Sequence, residues 1–347
     1  MAKTAFLLGG TGQTGRALVP RLRARGWNVV AASRGERAAL EDLDLDAELV
    51  TVDRADGDAL RRALGSGADV LVDFVAFDAP HAEQLLSLRD LVGSLVVLSS
   101  ASVYTDAEDR ALDEATGPDD FPRVRVPILE SGRTFEPGDA NYSTKKVALE
   151  RRLLESGRLP VTIVRPGAIH GPGGNLPREW HFVKRALDGR RHVLFANRGF
   201  GRFHTTATEN LAALLTIVAE RPATHILNCG DPSPPTVLEI GRAIASAMEV
   251  EWAELLLPVP ARDGELGMTP WSVPRDFVLD MTEAELLGYR PVTTYGEAVT
   301  ATCRWLAGMT EGRDWRELWP EPAERMAESF DYAREDEFVA QLAATGG

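Results

Sequence analysis

The chain has 347 residues, of which 44% are hydrophobic, enough for one large domain or a large domain with a smaller lobe. Its formal net charge of −14 repels phosphate backbones, so no nucleic-acid partner is expected. Two cysteines, Cys229 and Cys303, are too few for a disulfide framework, and no apolar run approaches the roughly 20 residues of a membrane span.

Residues 4–8 form a short apolar run ended by glycines, the pattern of a buried parallel strand. This run follows the N-terminal "MAK" directly, without the layout of a signal peptide, so a soluble, cytoplasmic protein is expected. Residues 14–25 read as a helix with Ala17, Leu18 and Leu22 on one face. Further apolar runs follow at 27–32, 49–52, 70–75 and 95–98, with helical stretches such as 58–64 between them. Later strands are expected at 161–164 and 226–228. The alternation predicts a Rossmann-type, doubly wound parallel sheet with helices on both faces. After Pro166 the alternation is lost; helices are predicted to start near Thr236 and at Thr294 or Tyr295. Beyond Gly308 the composition turns acidic with two tryptophans, as in a helical tail that packs by its aromatics.

The stretch "GGTGQTG" follows the first strand and opens the first helix. Gly10, Gly12 and Gly15 fit one phosphate-binding frame, and Gly9, Gly12 and Gly15 fit another. With Thr11, Gln13 and Thr14 they are candidates to hold a dinucleotide, whose pyrophosphate would meet unpaired amides and a positive dipole end. NAD enzymes place an acid at the end of the second strand to hold the ribose 2′-hydroxyl. Here that place carries Ser33 and Arg34, which suit a 2′-phosphate through charge-assisted hydrogen bonds. NADP is therefore expected in preference to NAD. The alternative is that Arg34 stacks on adenine or points to solvent while Glu36 takes the ribose. Asp53 either accepts from the adenine amino group or caps the following turn.

Tyr142 and Lys146 are four residues apart and share one helix face. A nearby ammonium is expected to lower the tyrosine pKa and equip it to exchange a proton with a substrate oxygen. A serine from the strand end in "LSSASVY" could bind the same oxygen.

Taken in order, "GGTGQTG", "DVLVDFVAF", "LSSASVY", "YSTKK", "VRPGAIHGPG" and "FVLD" with "LGYRP" resemble the extended short-chain dehydrogenase/reductases of the NAD-dependent epimerase/dehydratase type, over residues 4 to 307. The resemblance implies a nucleotide domain at 1–166 plus about 203–230, a substrate lobe at 167–202 and 231–307, and leaves 308–347 as an acidic helical tail. It selects the Gly9, Gly12, Gly15 frame and makes Gly10 an extra glycine. It implies Tyr142 as acid/base, Lys146 as its partner on the nicotinamide ribose, and Ser100 as the catalytic serine, with Ser99 and Ser102 as near neighbours. It places Val75 and Ala76 along the cofactor ribose, and Pro166 and Gly167 to Ile169 past the carboxamide.

Other positions depart from the family. Ala101 and Ser102 stand where dehydratases carry an Asp-Glu pair, so dehydratase activity is not expected. His170 is either a substrate contact or a packed histidine. Asn175, Arg202 and Tyr104 are further substrate candidates, and no metal site is expected. Arg178, Lys184 and Arg185 form either an anionic-substrate pocket or a solvated helix face. The segment 106–140 is expected as a lid, and the tyrosine helix is the face through which family members dimerise. The expected function is an NAD(P)-dependent oxidoreductase acting on a small-molecule substrate. The alternatives are an epimerase of nucleotide-sugars with retained NAD, and a non-catalytic regulatory protein that binds the nucleotide.

Overall fold

A computed structural model describes residues 2–35, 44–157 and 159–345. Strands β1 (Thr4–Leu8), β2 (Asn28–Ser33), β3 (Glu48–Thr51), β4 (Val70–Asp73), β5 (Leu95–Leu98), β6 (Val161–Pro166) and, later in the chain, β10 (His225–Cys229) form one parallel sheet. Between the last two lie β7 (Ala168–His170), β8 (His192–Phe195) and β9 (Thr205–Ala207). The spatial order β10-β6-β5-β4-β1-β2-β3 reverses direction between β1 and β4. That switch point opens the crevice where such sheets bind ligands.

Central strands are buried on both faces, as β4 and β5 are over their whole length, because helices cover both sides. On one face α1 (Gln13–Ala24) and α6 (Thr208–Glu220) pack over Leu18, Leu22, Leu211 and Leu214, each 0% exposed. On the other lie α2 (Gly57–Leu64), α3 (Ala79–Ser87) and α4 (Tyr142–Leu154). Leu149 and Leu153 of α4 pack under this face with Leu85 and Ile163, so these two leucines serve their own sheet rather than a partner.

The lobe is built from α5 (Trp180–Leu187), α7 (Val237–Ala247), β11 (Ala253–Leu256), α8 (Thr282–Leu286) and α9 (Tyr295–Thr310), with the parallel pairs β8–β11 and β7–β9. The tail folds over it as α10 (Trp315–Leu318), α11 (Pro320–Arg325) and α12 (Tyr332–Thr345). Trp315 and Trp319 each lie 5.9 Å from the Trp180 ring, so aromatic packing seats the tail on α5.

The expected lid is differently placed. Phe121, Ile128 and Phe135 from segment 106–140 are buried with Phe277 and Leu279, and Ile128 bridges to Leu279. These three residues anchor the segment to the stretch around Phe277 and Leu279, while Val126 and Leu129 stay exposed.

Candidate functional site

The glycine turn is set by close backbone packing. Gly9 has φ +83° and donates to the Ala32 carbonyl at 2.8 Å. A Cβ on Gly15 would lie 2.0 Å from the Gly10 carbonyl oxygen, so only glycine lets α1 settle on the turn. Gly10 is more than an extra glycine: its Cβ would lie 2.9 Å from both the Leu7 carbonyl oxygen and the Ala31 Cβ. Gly12 caps α1 with no side-chain hydrogen bond, and no acid lies in the first turn. The backbone amides at this end thus face the crevice without a competing carboxylate. Thr11 and Thr14 are buried in the turn, and Gln13 lies beside Gly174.

At the end of β2, the Ser33 hydroxyl accepts from the Gly35 amide at 3.2 Å and Arg34 is exposed. Glu36 lies outside the described residues. Asp53 follows its capping alternative, with Oδ1 accepting from the Ala55 amide at 2.9 Å. Across the crevice Val75 is 47% exposed while Ala76 is fully buried.

Helix α4 begins at Tyr142 because Asn141 and Thr144 form a reciprocal capping box. This holds Tyr142 at the mouth of the crevice, its ring 5.4 Å from that of Phe77. The Ser100 hydroxyl accepts from the Ser102 amide at 3.1 Å, and it acts on the Tyr142 hydroxyl in the direction that favours the charged form. Ser99 and Ser102 are buried with hydroxyls that meet no protein partner. Lys146, one turn on and 5% exposed, donates from Nζ to the carbonyls of Ala76 at 2.6 Å and Leu98 at 3.1 Å. These bonds tie α4 to the ends of β4 and β5 and bring Ser100, Tyr142 and Lys146 together.

The electrostatics differ from the expectation for the tyrosine. Burial pushes the Tyr142 hydroxyl above its ordinary value, against the influence of the Ser100 hydroxyl. The charge of Asp113 raises it further and that of Arg178 lowers it. Lys146 lies 5.6 Å from the centre of the Tyr142 ring, with Nζ committed to carbonyls. Burial brings Lys146 itself down to about 8, against the charge of Asp73. Asp73 is fully buried, pairs with Arg54 at 2.9 Å and accepts from the Val75 amide at 2.8 Å.

Most of the expected substrate contacts are otherwise engaged. Tyr104 is fully buried; its hydroxyl donates to Asn228 Oδ1 at 2.7 Å and accepts from Arg165 Nη1 at 3.1 Å. Burial pushes that hydroxyl up to about 12. Tyr104 is thus part of the frame around the Arg165–Glu150 pair, which closes at 2.5 Å. His170 follows its packed alternative: it is 2% exposed, its Nε2 lies 2.8 Å from Asp231 Oδ2, and its ring lies 4.7 Å from that of Tyr295. Asp231 also accepts from Thr205, Ala207 and Asn210. Arg202 pairs with Asp276 at 3.6 Å. Asn175 is exposed on the loop before α5. Pro166 ends β6 and Ile169 lies in β7, where the chain passes from sheet to lobe. Sequence reading missed Asp113 and Phe77 as neighbours of Tyr142: Asp113 lies in no recognisable motif, and Phe77, the last residue of "DVLVDFVAF", reaches the tyrosine only through the fold.

The turn geometry, the uncapped helix end and the lysine at the strand ends suit a dinucleotide running from the Gly9 turn to Tyr142. The fold defines a Rossmann-type class of NAD-dependent enzymes, with the glycine turn at the switch point of the sheet. Residues 5–230 match the NAD dependent epimerase/dehydratase family, and the chain belongs to that family, among the extended short-chain dehydrogenases/reductases. It is 28% identical over 292 residues to the 2'-dehydrokanamycin reductase of Streptomyces kanamyceticus, covering 81% of this chain and 73% of that protein. It is 28% identical over 256 residues to the ceramide reductase of Caulobacter vibrioides, with 73% of each chain covered. The UDP-glucose 4-epimerase of Thermotoga maritima superposes with a TM-score of 0.68 at 17% identity, over 88% of this chain and 99% of that one. Among the described residues no helix is long and apolar enough to cross a membrane.

Proposed function

We propose that the chain is an NADP(H)-dependent oxidoreductase that interconverts a ketone and a carbinol, with Tyr142 as acid/base. The observation that carries this is Lys146, bonded to the carbonyls of Ala76 and of Leu98, two residues before Ser100, with the Tyr142 ring 5.6 Å away, beside the crevice opened by the Gly9 turn. When bound, the nicotinamide supplies or accepts the hydride. The chain's own part is to place the substrate oxygen between the hydroxyls of Ser100 and Tyr142 and to move the proton. In reduction Tyr142 donates its hydroxyl proton to the forming alkoxide, and burial favours the protonated tyrosine needed for that step. Lys146 holds a positive charge beneath the tyrosine ring, and it would hold the ribose of the bound cofactor.

Ser33 and Arg34 in place of an acid support NADP(H) over NAD(H). The two reductases among its relatives support net redox chemistry. The second reading is an epimerase of a nucleotide-sugar with retained NAD, favoured by the fold shared with UDP-glucose 4-epimerase. Ala101 and Ser102 after Ser100 provide no carboxyl for elimination, which argues against a dehydratase. The test is to mix the protein with NADPH or NADH and candidate ketones, and separately with UDP-sugars. The proposal expects falling nicotinamide absorbance with a ketone and NADPH. Conversion of a UDP-sugar without net absorbance change would replace it with the epimerase reading.

A further inference from the structure

The basic stretch around α5 divides on folding. Lys184 pairs with Asp188 at 2.7 Å. Arg185, 2% exposed, donates to the His181 carbonyl at 2.9 Å, to the Ser329 carbonyl at 2.5 Å and to Glu335 at 2.6 Å. Arg190 pairs with Asp336 at 2.6 Å. These three hold the tail and the helix in place. Arg178 goes the other way.

Arg178 is partly buried, with its guanidinium 5.6 Å from the centre of the Phe203 ring and 5.5 Å from that of Trp271. Among the described residues no hydrogen bond or ion pair takes up its donors. Its charge reaches the Tyr142 hydroxyl. A second cation, Arg325 of α11, adds to the positive field around it, although Arg325 also pairs with Glu321 at 2.7 Å. Its nitrogens stay open to solvent, and its five donors form a rigid fork that matches a carboxylate or phosphate in two bonds. Aromatic faces steady such a fork while leaving its edge open. The neighbouring carboxylate of Glu179 is 2% exposed and is the strongest charge acting on Arg178, but among the described residues no hydrogen bond or ion pair joins the two side chains.

We propose that Arg178 is the substrate-binding group of this site, receiving an oxyanion of the substrate, a carboxylate or a phosphate ester, and so presenting the reacting carbonyl to Tyr142. This rests on the reading of Tyr142 as acid/base. It assigns the substrate class: a ketone or carbinol with an acidic group a short distance from the reacting carbon. The tail takes part indirectly, because α11 brings Arg325 into the same field.

The test uses three aromatic ketones of one shape: para-acetylbenzoate, para-acetylphenyl phosphate and the neutral para-acetylbenzamide. Their binding to the full chain in the presence of NADP is measured by ligand-observed saturation-transfer NMR, which needs no turnover. The wild type is expected to bind one or both anions roughly tenfold more tightly than the amide, and the stronger anion distinguishes carboxylate from phosphate. Arg178→Met, which keeps the apolar stem against Phe203 and Trp271, removes the preference. Arg178→Lys keeps part of it, and Tyr142→Phe keeps all of it. Equal binding of the three ketones, no binding at millimolar concentration, or a preference that survives in a folded Arg178→Met protein would overturn the proposal. An anion preference without NADPH oxidation by any ketone would leave the proposal standing and remove the redox reading instead.

Discussion

The nucleotide half and the C-terminal lobe use their polar residues in opposite ways. In the nucleotide half the binding surface is mostly backbone: a glycine turn, an uncapped helix end and the carbonyls of Ala76 and Leu98 that hold Lys146. In the lobe the charged side chains mainly hold the fold together. His170 closes on Asp231, Arg202 on Asp276 and Arg185 on Glu335. Arg178, which stacks on two aromatic faces and makes no hydrogen bond or ion pair among the described residues, stands apart from that pattern. A polar residue in a family motif thus reports on ligand binding only after its pairing inside the fold is known.

The sharpest way to separate chemistry from scaffold is Tyr142→Phe. This change keeps the ring against Phe77 and removes the hydroxyl on which Ser100 acts. Turnover is expected to fall by about 10²- to 10⁴-fold, while NADPH affinity, read by fluorescence titration, stays near the wild-type value.

Glu150→Ala tests the frame. It leaves the Arg165 guanidinium buried with its ion pair gone, and urea unfolding should show a loss of about 3–5 kcal/mol. A loss well below 1 kcal/mol would mean that Tyr104 and the Glu130 carbonyl, which also bond Arg165, carry that site alone.

The pH dependence is set by Lys146. Burial lowers its folded value to about 8, below its unfolded value of about 10.4. The unfolded chain therefore binds more protons between these limits, and this group's cost to stability is relieved as pH rises through them. The charged lysine that the proposed reaction would use is lost as pH rises through about 8. Reductase activity should fall above pH about 8 while the fold does not weaken through this group. Activity that stays level to pH about 10 would show that the lysine charge is not needed there.

The smallest expected effect is at the adenine end. Arg34→Ala should reduce the preference for NADPH over NADH by roughly tenfold, the scale of one charge-assisted contact. An unchanged ratio of kcat/KM values would mean that Arg34 does not read the 2′-phosphate.

The sheet was legible because buried parallel strands are near-continuous apolar runs punctuated by glycine, as at Leu7 and Leu8 before Gly9. The capping box at Asn141 made the start of the tyrosine helix sharp. The turn itself left two frames open from spacing alone. Gly10 looked dispensable because its role is contact with Leu7 and Ala31, on two different strands. His170 and Tyr104 could not be sorted from sequence because their partners, Asp231 and Asn228, lie 61 and 124 residues away. A second cation near Tyr142 went unseen for a related reason. Helical spacing points to Lys146, while Arg178 reaches the hydroxyl only through the packing of the lobe.

The most direct measurement of the central claim follows the hydride. NADPH deuterated at the transferable position of nicotinamide C4 is mixed with the protein and a panel of ketones, and the carbinol products are analysed by mass spectrometry. The account predicts a product that carries one deuterium at the new carbinol carbon, formed by the wild type and lost in Tyr142→Phe. Tight NADPH binding with no label in any product, or label transfer that persists unchanged in Tyr142→Phe, would contradict it.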